Sequence, residues 1–310
     1  MFSHPVEWVA FGAFVLLLLV LDLGVFNRKT HVIHFREALL WSLFWISISM
    51  LFNGWVYLDR GPEDAVAFFT GYLIEKSLSV DNLFVFVLIF KALHTPAKYQ
   101  HRVLYWGIVG AFAMRAAFIF AGIAAIQAFH WTVYIFGAFL VVTGAKLAFQ
   151  VEKEVRPEQN PVLRFAKRFI PVAEADTSAH FFVRLNRSLH ATPLFVALLL
   201  LETTDLIFAT DSIPAILAIS TDPYIVFTSN VFAILGLRSL YFALAGIMDM
   251  FHYLKYGLSL ILMFVGMKML LVDVYKVPVS LALGVVAGIL GTAVLASVVR
   301  IRRQLARDSK

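Results

Sequence analysis

Apolar residues fill long, near-continuous stretches of this chain, and polar clusters close each one. The stretches run roughly 6–26, 37–58, 65–90, 103–125, 132–150, 192–220, 224–248, 253–272 and 277–299. A helix of about 20 apolar residues matches the hydrocarbon thickness of a bilayer. The pattern therefore predicts an all-α fold, a polytopic helical membrane protein with about nine transmembrane helices. Short polar segments join most of them. The exception is 151–191, which Pro157, Pro161 and Pro171 punctuate.

Two of the apolar stretches are interrupted by acids. One reads Glu75-Lys76-Ser77-Leu78-Ser79-Val80-Asp81-Asn82. The other runs from Glu202 through Asp205 to Asp211 and Ser212. Charge at membrane depth is costly and marks function by default. Placing Asp81 against Asp211 also places Glu75 against Asp205. Further landmarks recur in the same order. Arg115 and Arg238 each sit mid-stretch, and Tyr134 to Lys146 spans 12 residues, as does Tyr256 to Lys268. Residues 65–150 thus recur as 192–272. Each unit holds three spans, so the second must run through the membrane in the opposite sense, an arrangement common in secondary transporters. The whole of 1–310 then reads as a single transmembrane transporter domain. It has two N-terminal spans in 1–64, repeat 1 in 65–150, a cytoplasmic loop in 151–191, repeat 2 in 192–272, and a last span with a basic tail in 273–310.

Composition sharpens this picture. The 310 residues are 61% hydrophobic and 15% charged, against about 25% charged in a soluble domain. The absence of cysteine removes disulfides, thiolate metal sites and cysteine nucleophiles together. The net charge of +6 is not read as a nucleic-acid signal, because in a membrane protein the placement of charge matters more than its sum. With the N-terminus outside and the C-terminus cytoplasmic, the outer loops keep only Arg60 and Lys276, and the other loop lysines and arginines lie inside. No cleavable signal peptide is expected, since Glu7 precedes the first apolar run. In the long inner loop, 163–170 interleaves basic and aromatic residues. It reads first as a short helix on the inner leaflet in contact with membrane lipids, and more sharply as a docking place for a protein partner.

The acidic segments offer carboxylates, the Asn82 amide and hydroxyls, all hard oxygen donors suited to Mg²⁺, Ca²⁺ or Mn²⁺. None of the nine histidines falls in them, which argues against zinc or copper. Met263 and Met267 share a helical face and read as packing. On a straight helix Glu75 and Asp81 would stand about 120° apart, whereas Glu202 and Asp205 would share a face. A helix break at Pro214 would free the Thr210 carbonyl and help the acids converge. Arg115, Arg238, Lys146 and Lys268 nearly balance the acids. They read as ion-pair partners or gating residues, and Asp22 as a member of the ion path. If the acids themselves are paired, the segments become structural ion pairs. An aspartyl-protease dyad of Asp81 and Asp211 is disfavoured, because the Gly-x-Gly-Asp pattern is absent and Glu75, Glu202 and Asp205 would go unexplained. No enzymatic activity is expected.

The two acidic segments, continued through Phe84-Val85-Phe86 and Ile213-Pro214-Ala215, resemble the TerC family of integral membrane proteins and more narrowly its Alx-like branch. The likeness extends from Asp22 to the last span. It implies a bacterial inner-membrane protein of manganese homeostasis that exports Mn²⁺ as transported substrate, ahead of Ca²⁺ or Mg²⁺, with no organic cofactor. It also implies metal ligands at Glu75, Asp81, Glu202, Asp205 and Asp211, supported by Asn82 and Ser212. The expected mechanism is alternating access. The alternative is a membrane partner or sensor that delivers Mn²⁺ to exported proteins or scaffolds other proteins.

Overall fold

The computed structural model describes residues 5–24, 35–149, 160–166, 171–173, 180–185, 188–245 and 253–308. Its elements are α1 (Pro5–Gly24), α2 (Phe35–Arg60), α3 (Pro62–Ala92), α4 (Ala97–Ala128), α5 (Thr132–Phe149), α6 (Pro161–Ala166), β1 (Phe182–Leu185), β2 (Ser188–Ala191), α7 (Pro193–Leu217), α8 (Pro223–Ile234), α9 (Leu237–Leu244), α10 (Leu254–Leu270) and α11 (Val279–Asp308). Among the described residues each apolar stretch lies mostly on helix. Among the described residues five helices are long and apolar enough to cross a membrane: α2, α4, α5, α7 and the first part of α11. The α8–α9 pair makes a sixth if it is one span. α3 has the length, with 31 residues, but carries Glu75, Lys76 and Asp81 in its middle.

Local chemistry explains the helix starts. α3, α7 and α8 each open with a proline in the first turn, where its missing N–H costs nothing. Asp222 caps α8, its Oδ1 accepting from the N–H groups of Tyr224 (2.8 Å) and Ile225 (3.0 Å). Short polar side chains within the helices fold back onto their own backbone. Ser42 and Ser49 each donate to the carbonyl four residues earlier, as do Thr203 and Thr204.

α3 packs against α2, α7, α8 and α11, and α4 packs along α7. Rings knit α1, α2, α3 and α8 together, with Phe52 4.7 Å from Phe232 and Trp8 edge-on to Tyr224 at 5.4 Å. α5 and α10 cross most closely. A Cβ on Gly137 would lie 2.9 Å from the Gly266 carbonyl oxygen, and one on Gly266 would lie 2.7 Å from the Gly137 oxygen. One turn and more away, Gly144 lies against the Ser259 carbonyl and Met263, and the Ser259 hydroxyl donates to the Gly144 carbonyl at 2.6 Å. Met263 is thus a packing residue.

Two expectations are corrected. α7 does not break at Pro214, which lies inside a helix continuing to Leu217. Thr210 instead sends its hydroxyl to the Ile207 carbonyl, 2.6 Å away. The break falls in the stretch expected to be continuous from 224 to 248. There Gly236, at φ 82°, separates α8 from α9 with a bend of 41°, a left-handed conformation that glycine adopts without steric cost. The long loop also carries a small antiparallel hairpin, Phe182 opposite Ala191 and Leu185 opposite Ser188, beside the helices that make the fold all-α. Of the short helix expected over 163–170, residues 163–166 lie in α6; residues 167–170 lie outside the described residues.

A polar link joins the α4–α5 turn to the α10–α11 connection. Tyr134 donates its hydroxyl to Asp273, and His130 Nε2 lies 3.0 Å from the same carboxylate. The Tyr134 hydrogen bond, then His130, holds the Asp273 carboxyl below its usual range. A depressed carboxylate stabilises the fold above its unfolded pKa of about 3.9 and loses that contribution as pH falls through its lower folded value. Acid-side melting curves of native protein and Asp273→Asn should therefore converge at low pH and separate toward neutrality. Curves separated equally at every pH would remove Asp273 from the acid response.

Candidate functional site

The buried charge centre grows out of helical spacing. On α3, Glu75, Ser79 and Asn82 stand at i, i+4 and i+7, so they share one face. On α7, Asp205, Ala209 and Ser212 repeat that spacing. All six are buried. α4 runs beside α7 and brings Arg115 between the two faces.

Arg115 is 2% exposed and has two carboxylate partners. Its Nε and Nη2 reach Asp205 Oδ2 and Oδ1 at 3.2 and 2.8 Å, a bidentate pair. Its Nη1 donates to Glu75 Oε1. One guanidinium therefore ties an acid from each segment to a third helix. The centre is not saturated. Glu75 Oε2, Ser79 Oγ, Asn82 Oδ1 and Ser212 Oγ are all buried without a hydrogen-bond partner among the described residues. Buried oxygens left unpaired are costly, and here they concentrate on the two acidic faces.

The remaining expected residues are spread around this centre. Glu202, one turn before Asp205 and half-buried, packs where α4 has only a glycine: a Cβ at Gly110 would collide with its carboxylate. Asp211, also half-buried, lies near Thr143 on α5 and near the charge of Lys146, whose side chain is exposed. Arg238, buried in the first turn of α9, lines a cleft together with Asp205, Phe86, Gly107 and Leu201. Lys268 on α10 is partly buried. The side chains of Asp22 and Asp81 lie outside the described residues. Among the described residues no three His, Asp or Glu side chains converge as a metal-binding group.

Sequence reasoning missed two participants. Ser79 was readable from its spacing with Glu75 and Asn82. Lys76 was not: its Nζ donates to the backbone carbonyls of Ala233 (3.1 Å) and Leu235 (3.4 Å), on the far side of the α3–α8 contact.

These features define an integral helical membrane protein with a charged centre shared by two buried acidic segments. The chain belongs to the TerC family of integral membrane proteins, whose pattern matches residues 60–305. It is 54% identical over 307 residues to an uncharacterized membrane protein of Myxococcus xanthus, covering 99% of this chain and 96% of the relative. It is 48% identical over 295 residues to an Escherichia coli K12 protein named as a candidate membrane-bound redox modulator, Alx, covering 92% of each. A Rickettsia bellii membrane protein is 43% identical over 294 residues, covering 95% of this chain and 97% of the relative. No solved structure matches the chain.

Proposed function

We propose that the protein exports a divalent cation, Mn²⁺ ahead of Ca²⁺ or Mg²⁺, across the bacterial inner membrane by alternating access. The observation that carries this reading is the meeting of Glu75 and Asp205, one from each acidic segment, at a single buried cation, Arg115. The unpartnered oxygens of Glu75, Ser79, Asn82 and Ser212 add hard donors on the same faces. Arg115 acts as the resident counter-charge. A divalent ion entering between the segments takes over the carboxylates, with Glu202 and Asp211 on its route and Asp81 completing the ligand set. When the ion leaves, the guanidinium returns and the buried acids stay compensated.

In this reading 65–150 and 192–272 are inverted repeats. The α5–α10 crossing supports it. The tyrosine–lysine register equates Gly137 with Ser259 and Gly144 with Gly266. The two observed close contacts, Gly137 with Gly266 and Gly144 with Ser259, exchange under that equivalence. A pseudo-twofold axis through the crossing produces this reciprocity. The distribution of basic residues supports a cytoplasmic C-terminus.

The bidentate Arg115 pair also favours a second reading, a membrane sensor or delivery partner whose centre is a lock rather than a path, with 151–191 as its docking loop. The Alx relatives are named for redox modulation. This chain has no cysteine, so any such effect would pass through the ion it handles and not through a thiol of its own.

Purified protein in liposomes with an internal Mn²⁺-quenched dye tests the proposal. Native protein should give saturable flux, and Asp205→Asn and Asp211→Asn should abolish it. Mn²⁺ binding without flux would favour the sensor. Full flux in both variants would remove these acids from the path.

A further inference from the structure

The ammonium of Lys76 sits at a broken helix. α8 ends at Ile234, Gly236 turns the chain in the left-handed region, and α9 resumes at Leu237. The last carbonyls of a helix have no donor from the following turn, and at membrane depth such groups must find another partner. At this break the partner is a lysine from another helix. Lys76 Nζ reaches Ala233 O at 3.1 Å and Leu235 O at 3.4 Å, and the Tyr72 ring lies 5.9 Å away. Among the described residues no carboxylate pairs with it. The neighbouring position on α3 is Glu75, and Arg238 stands in the first turn of α9, so the break adjoins the charge centre.

Carbonyls at the unwound ends of discontinuous helices are where secondary transporters coordinate a monovalent cation. Here a positive nitrogen already occupies such a pair of carbonyls, held by a covalent tether. We infer that Lys76 is a built-in monovalent cation: the Ala233 and Leu235 carbonyls form a cation site that the ammonium fills, in place of a bound Na⁺ or K⁺. The protein's stability, and the flux proposed above, are then independent of both ions. Only the flux arm rests on the transport reading; the binding arm does not.

The test compares native protein, Lys76→Ala and Lys76→Met in detergent, each melted in choline, Na⁺, K⁺ or methylammonium chloride. Lys76→Ala removes the ammonium and leaves room for a cation, whereas Lys76→Met fills the space without charge. The native melting temperature should not change among the salts. Lys76→Ala should melt lower in choline and be raised by at least one small cation, methylammonium above all, while Lys76→Met should melt lower and respond to none. Should Lys76→Ala not purify, Lys76→Ser, equally small and so leaving the same room, carries the same comparison. A native protein stabilised by Na⁺ or K⁺ overturns the inference. So does a Lys76→Ala, or the Ser variant in its place, that melts like native or that no cation restores. In liposomes, native Mn²⁺ flux should persist when choline replaces Na⁺ and K⁺, and loss of flux in choline also overturns it. Absence of Mn²⁺ flux in every salt, with the melting pattern as expected, would remove the transport reading and leave the cation site standing.

Discussion

Arg115→Ala destabilises the protein by about 3–5 kcal/mol, the cost of stripping a buried ion pair of one partner. Glu75 is 0% exposed and Asp205 4%, so neither carboxylate has water to replace the guanidinium. The attraction does not by itself make the centre stabilising, because desolvating such charges consumes most of the Coulomb gain. A second variant separates the two effects. Arg115→Met combined with Glu75→Gln and Asp205→Asn removes all three charges at similar volume and should recover most of the lost stability. Under the proposed function it should still carry no Mn²⁺. Unfolding of the variants in mixed detergent, read beside liposome flux, checks both statements. An Arg115→Ala protein as stable as the native one would mean that the acids are compensated from elsewhere, and the resident counter-charge role would fall.

Gly266→Val should have the next largest effect on the fold, about 3 kcal/mol of lost stability, at the upper end of ordinary overpacking. The branched side chain would start from a Cβ 2.7 Å from the Gly137 carbonyl oxygen and 2.9 Å from the Leu140 Cβ. Backbone cannot step aside as a flexible side chain can, so α5 and α10 must separate. Helix propensity acts the other way but is smaller: replacing glycine with a better helix former gains at most about 1 kcal/mol. Gly288 on α11 serves as control, because nothing lies within 4 Å of its would-be Cβ. Gly288→Ala should be neutral or slightly stabilising. Melting temperatures of the pair decide the matter, and equal effects at both positions would mean that the close crossing does not hold these helices together.

Much of the fold was legible because the bilayer constrains sequence so tightly. A spanning helix needs a long apolar run, and among the described residues each such run lies mostly on helix. The acidic segments were legible for the same reason: carboxylates stand out where only apolar side chains are expected. The spacing of Glu75, Ser79 and Asn82 even gives the buried face. The partner of those acids was not readable. Arg115 and Arg238 occupy equivalent places in the sequence, and nothing local says that Arg115 holds Glu75 and Asp205 together. Pro214 misled because a proline removes a hydrogen bond wherever it sits, yet surrounding packing kept α7 helical across it. The real interruption lies at Gly236, beside the indole of Trp45. A lone glycine in an apolar run gives little warning of it.

The sequence by itself therefore determined the class of protein, the helices, the family and the residues that bring charge into the membrane. The class and the helices follow from composition and period, and the family from the two acidic motifs that resemble it; all are properties of single segments. Which charges meet was decided only by the tertiary structure. It set Arg115 against acids from two segments, Lys76 on the carbonyls of a broken helix, and Gly137 on Gly266. Each of these contacts joins residues far apart in the chain, and its energy depends on burial and distance that exist only after the helices have packed.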